Sequence, residues 1–191
     1  MNIAQYNLAF VDTETTGLDP RKHEILEVAV KVCDPQTLEV LSQYQAKVKP
    51  VRIACAEPEA LAVNGYTEEA WEGALPLHLV MAEVARVAED CVMAGQKTAF
   101  DLAFLEAACA EVGQTPTWRR RRYVDLMTLT YLKVGGVVPK LSLEHACGAA
   151  GVSNEGAHTA MADVDRTLAC WKALRTPKPV TTDLFYPHPR P

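Results

Sequence analysis

An apolar run ending in two carboxylates two residues apart, Leu8-Ala9-Phe10-Val11-Asp12-Thr13-Glu14, most constrains what this chain can fold into. Side chains alternate along an extended strand, so Asp12 and Glu14 project to the same side. The residues before them read as a buried strand. Two like charges beside a core are costly unless something positive neutralises them. A divalent cation is the most economical candidate, because hard cations prefer carboxylate oxygens. Taken alone, the pair fits either a metal site or a strand end with two solvated acids. Thr15, Thr16 and Gly17 then read as a break of the strand into a turn.

Further acids shift that balance. Asp101 closes the segment GQKTAFD and leads into a helix with apolar positions Leu102, Phe104, Leu105 and Ala108. His158 and Asp163 occur as HTAMAD; a helix from Thr159 puts His158 at its start and Asp163 about one turn in. Four carboxylates and one histidine at element ends are what a two-metal phosphoryl-transfer site requires.

Strands are expected near residues 6–12, 25–33 and 39–48, joined by short turns at Asp19-Pro20 and Asp34-Pro35 into an antiparallel meander. A helix over 77–90 has apolar spacing at Leu77, Val80, Met81, Val84 and Val87. Short strands at 92–95 and 122–125 flank the Asp101 helix, and helices follow near 126–133, 142–150 and 159–174. Asp125, at a strand end, reads either as support for the site or as a loop cap.

The motifs resemble those of the DEDDh 3′–5′ exonucleases, the group that includes the proofreading subunit of bacterial replicative DNA polymerase, ribonuclease T and oligoribonuclease. DTETTGL at Asp12 to Leu18 with EILEVAV at Glu24 to Val30, AFDLAFL at Ala99 to Leu105, and HTAMAD carry the likeness. VNGYTEE, VDLMTL and LSLEHAC fall in the expected order, and the likeness covers roughly residues 5–175. It implies an α/β fold of the ribonuclease H-like kind: a mixed five-stranded sheet, three antiparallel strands then parallel ones, flanked by helices.

The resemblance implies Asp12, Glu14, Asp101 and Asp163 as ligands of two Mg²⁺ or Mn²⁺ ions, with His158 as general base. The expected reaction releases nucleoside 5′-monophosphates from the 3′ end of single-stranded DNA, in proofreading or repair. An RNA trimmer like ribonuclease T or oligoribonuclease is the alternative within that chemistry, and an inactive module that holds nucleic-acid ends is the alternative outside it. Thr15 and Leu18 stand at the expected substrate edge, with Leu18 as a wedge against the last base. Phe100 reads as a base contact or as core, and Tyr66 as a stacking platform. The family's usual His-Asn ahead of the second aspartate is replaced by Gln96-Lys97. Lys97 reads equally as a phosphate contact and as a surface lysine.

Composition sets milder bounds. An apolar fraction of 49%, a charged fraction of 23% and a net charge of −5 over 191 residues describe one ordinary globular domain rather than a generally sticky nucleic-acid binder. Arg119–Arg122 is the obvious basic cluster, either a backbone contact or a solvated loop. Five of the six cysteines sit in apolar patterns without CxxC spacing, as expected of reduced thiols in a cytoplasmic protein. No signal peptide or membrane span is expected.

Residues 1–175 therefore read as the catalytic domain and 176–191 as a tail holding five of the 12 prolines. Asp183-Leu184-Phe185 resembles the end of the motif that docks bacterial replication proteins on the sliding clamp. Thr181 stands where that motif has glutamine. These side chains either anchor a polymerase or clamp partner or pack back on the domain.

Overall fold

A computed structural model describes residues 5–134, 141–154 and 159–175. Its sheet has the order β3-β2-β1-β4-β5, from Leu8–Thr15 (β1), Ile25–Cys33 (β2), Val40–Lys47 (β3), Val92–Gly95 (β4) and Tyr123–Asp125 (β5). The first three strands pair antiparallel, and β4 and β5 join parallel to β1. This is the mixed sheet expected from the sequence. β1 is central, so its inner residues Ala9, Phe10 and Val11 are buried, as suits a strand covered on both faces.

Helices cover the two faces. Leu77–Val87 (α2) and Thr98–Glu111 (α3) pack their apolar sides with Val11, Val28 and Val30 on one face. Ala160–Leu174 (α6) lies on the other against Phe10 and Ala29, and the Trp171 ring meets Phe10 edge-on at 5.7 Å. Leu126–Val134 (α4) and Leu143–Ala150 (α5) buttress α6 through Leu126, Cys147 and Cys170. Gly95 ends β4 where only a glycine fits: a Cβ there would lie 2.9 Å from the Val11 carbonyl oxygen.

The ends of two elements differ from the sequence expectation, and one helix is additional. β1 runs through Thr15 rather than stopping near residue 12, because β2 pairs with it to the Thr15–Ile25 bridge past an irregularity after Glu14. The helix expected over 77–90 stops at Val87, and Asp90 turns left-handed at φ 57°. A short helix at Pro58–Asn64 (α1) was not expected; it buries no residue fully, so it carries no apolar stripe to read. His158 and the tail of residues 176–191, with Asp183, Leu184 and Phe185, lie outside the described residues.

Candidate active site

The acids lie along β1 and in the first turns of α3 and α6, the helices that cover its two faces. Asp12 and Glu14 are half-buried and alternate with buried Thr13, as period-two geometry requires. Asp163 stands in the first turn of α6, whose N-terminus is capped by Thr159, its hydroxyl accepting from the Ala162 amide at 3.3 Å. One carboxylate oxygen from each of Asp12, Glu14 and Asp163 lies within 4.8 Å of the others.

Asp101 approaches from the opposite side of β1. It stands in the first turn of α3 and is almost fully buried. Its Oδ1 accepts from the Thr13 amide at 2.9 Å and the Thr13 hydroxyl at 2.8 Å. It is not part of the compact trio, but its charge acts on Asp12.

The electrostatics are those of a crowded anionic site. Burial pushes the Asp12 carboxyl well above the ordinary carboxylate range; the charges of Asp101 and Glu14 push the same way, and Arg166 opposes them. Burial, then Glu27, raises Glu14. Burial lifts Asp101 to about 7 against the opposing pull of its Thr13 bonds. Carboxylates concentrated in this way form a site whose charge a cation would neutralise. An all-oxygen donor set fits a hard divalent ion.

Two charged residues of the site were not singled out from the sequence. Glu27 is buried on β2 directly opposite Glu14, an arrangement of like charges that is unfavourable by itself. Gln45 donates to its Oε1 at 2.6 Å and the Ala160 amide, at the start of α6, donates to its Oε2 at 3.5 Å. Arg166, three residues after Asp163, is buried and donates to it. A carboxylate inside ILEVAVKVC was a usable signal for Glu27; nothing in the spacing marked Arg166.

The expected substrate edge is distributed as follows. Leu18 is 74% exposed just past the acid pair. Thr15 is buried and donates its hydroxyl to the Gly17 carbonyl at 2.8 Å, so that group shapes the turn. Gly17 is pressed on the His23 ring, which a Cβ would meet at 2.5 Å. Tyr66 is half-buried, 5.0 Å from the Trp71 ring, and its segment is tied to β1 by Asn64, which donates to the Thr15 carbonyl at 2.8 Å. Phe100 is also half-buried, its ring 4.9 Å from Phe104. Lys97 is exposed at φ 60°, immediately before α3.

Asp125 caps helices: it accepts from the amides of Lys97 at 3.3 Å, Thr98 at 2.8 Å and Met127 at 2.8 Å. Gln96 donates to the Leu141 carbonyl at 2.6 Å. In the basic cluster, Arg119 pairs with Asp90 and Arg120 with Glu106. A cavity of about 300 Å³ lined by Ile25, Val48, Leu77 and Phe104 lies apart, since none of Asp12, Glu14, Glu27, Asp101 and Asp163 lines it.

The pattern of one protein family, described as exonuclease, matches residues 9–170. Ribonuclease T of Shewanella denitrificans is 31% identical over 88% of this chain and 83% of that protein. The PolC-type DNA polymerase III of Thermotoga maritima is 30% identical over 70% of this chain, which corresponds to 10% of the polymerase. Among solved structures, the zinc-bound complex of E. coli exonuclease I with single-stranded DNA superposes with a TM-score of 0.78 at 22% identity over 92% of this chain. The chain spans 42% of the length of that enzyme, and the likeness speaks to the fold.

Proposed function

This chain belongs to the exonuclease family, and we propose that it shortens single-stranded DNA from the 3′ end, releasing nucleoside 5′-monophosphates. It is a 3′–5′ exonuclease; the substrate, the ions and the residue roles are the proposal. The observation that carries it is the convergence of Asp12, Glu14 and Asp163 within 4.8 Å, with Asp101 bound to the intervening Thr13.

Asp12, Glu14 and Asp163 would hold one divalent cation, and Asp12 with Asp101 a second, Mg²⁺ or Mn²⁺ by donor chemistry. Such ions supply Lewis-acid polarisation of the scissile phosphate and lower the pKa of attacking water. Thr13 fixes Asp101 through Oδ1, which would leave Oδ2 for the ion. His158 would take a proton from the water on a ring nitrogen, the general-base task for which an imidazole serves near neutral pH. Leu18 wedges against the terminal base, and Phe100 and Tyr66 offer ring surface to it and its neighbour, contacts that tolerate any base. Lys97, immediately before α3, would contact a substrate phosphate. Among the described residues no helix is long and apolar enough to cross a membrane. A cytoplasmic location suits six cysteines that are all unpaired.

DNA is favoured by the PolC-type likeness. Action on RNA is the second reading, favoured by ribonuclease T relatives that match along most of their length. Matched DNA and RNA oligonucleotides carrying a 5′ label separate the two. A ladder shortened from the 3′ end on DNA supports the first; a comparable or faster ladder on RNA transfers the protein to RNA processing.

A further inference from the structure

Arg166 is a buried cation inside an otherwise anionic site. Its side chain is 8% exposed, and removing a guanidinium from water is costly unless its donors are matched. Nη2 donates to Asp163 Oδ1. Nη1 donates to Asn154 twice, to the backbone carbonyl at 3.1 Å and to side-chain Oδ1 at 2.9 Å. Nε is buried without a hydrogen-bond partner. The guanidinium thus joins the first turn of α6 to the connection after α5 through one rigid plane.

This arrangement looks counterproductive for metal binding, because a positive charge beside a ligand repels a cation. Its geometry answers the objection. Arg166 occupies a single oxygen of Asp163, and the three-residue spacing places both groups on one face of α6. A carboxylate on a helix otherwise samples several rotamers; the hydrogen bond from Nη2 restrains that choice. Holding one oxygen of a ligand is the usual work of groups just outside a metal's coordination shell.

We propose that Arg166 is a positioning residue, which fixes Asp163 through Oδ1, presents Oδ2 to the divalent cation, and is itself held by Asn154. The proposal rests on the reading of the acid cluster as a metal site. Charge alone is not its function: Arg166 also opposes the upward push on Asp12, but a lysine would supply the same charge without the planar fork that spans Asp163 and Asn154.

The test measures Mn²⁺ binding by electron paramagnetic resonance, without turnover, for the wild type, Arg166→Gln, Arg166→Lys and Asn154→Ala. kcat and KM on a DNA oligonucleotide are measured beside it. Loss of an outer partner of a metal ligand weakens the metal by about ten- to a hundredfold, and that is expected for Arg166→Gln. kcat at fixed Mn²⁺ falls while the oligonucleotide KM holds. Arg166→Lys falls in between, and Asn154→Ala shifts Mn²⁺ affinity severalfold in the same direction. Unchanged or tighter Mn²⁺ binding in Arg166→Gln overturns the proposal, because the arginine would then be inert or merely a competitor of the ion. If Arg166→Gln does not fold, Asn154→Ala and Arg166→Lys decide by the same criteria. A wild type that binds no Mn²⁺ would overturn the metal reading itself, an outcome distinct from equal binding by wild type and variant.

Discussion

Asp101 and Thr13, 88 residues apart in sequence, meet through two hydrogen bonds to a single carboxylate oxygen, from the threonine amide and from its hydroxyl. Thr13 is the residue between Asp12 and Glu14. The strand that carries the acid pair therefore also sets the third acid, and a shift of β1 would disturb all of them together. Removing the hydroxyl leaves a buried carboxylate with one bond fewer, a loss that costs about 1–3 kcal/mol. Thr13→Val is expected to lose that much stability in urea unfolding and to lower exonuclease turnover while Asp12 and Glu14 are untouched. A variant with wild-type stability would show that the bond carries no weight.

The acid cluster also makes metal-free stability depend on pH in a defined direction. Asp101 is raised from an ordinary 3.8 to about 7, and Asp12 is raised as well, both first by burial. A carboxyl raised in the folded state binds its proton more tightly there than in the unfolded chain. Its contribution is therefore complete below the unfolded value near 4 and is lost as pH rises through about 7. In chelator, the melting temperature is expected to fall across that window. Excess Mg²⁺ should reduce the fall, because it binds the ionised carboxylates and favours the folded state. A flat metal-free profile in differential scanning fluorimetry would contradict the electrostatic account.

Lys97 holds a left-handed backbone at φ 60°, with its amide 3.3 Å from Asp125. A residue with a Cβ is strained there by about 1–2 kcal/mol, and asparagine tolerates the region best after glycine. Lys97→Asn should raise stability by up to about 1 kcal/mol and raise the oligonucleotide KM with little change in kcat, more so at low salt, where phosphate contacts weigh most. A KM equal to wild type at low salt would reduce Lys97 to a surface residue.

Much of this was legible in the chain. The alternation in FVDTET puts Asp12 and Glu14 on one side of a strand, and the apolar runs place β2, β4 and the helices α3 and α6 within a few residues. The grouping of Asp163 with that pair was implied by the family resemblance alone, and the fold brings the three within 4.8 Å. What could not be read is whatever depends on partners distant in sequence. Glu27 looks like an intrusion into an apolar strand until Gln45 and the Ala160 amide are seen around it. Arg166 looks like an ordinary helix cation until its contacts with Asp163 and Asn154 appear. α1 escaped because Pro58–Asn64 rests on the surface and is held by backbone and Asn64 contacts rather than by an apolar face.

The most direct measurement compares wild type with Asp12→Asn, a change of charge at constant shape, on a 5′-labelled single strand with Mg²⁺. The account predicts shortening from the 3′ end with release of 5′-mononucleotides by the wild type, abolished by chelator. It predicts a loss of about a thousandfold in Asp12→Asn, roughly 4 kcal/mol of transition-state stabilisation, in a protein whose circular dichroism is unchanged. Undiminished cleavage by the folded Asp12→Asn variant, or by the wild type in chelator, would contradict it.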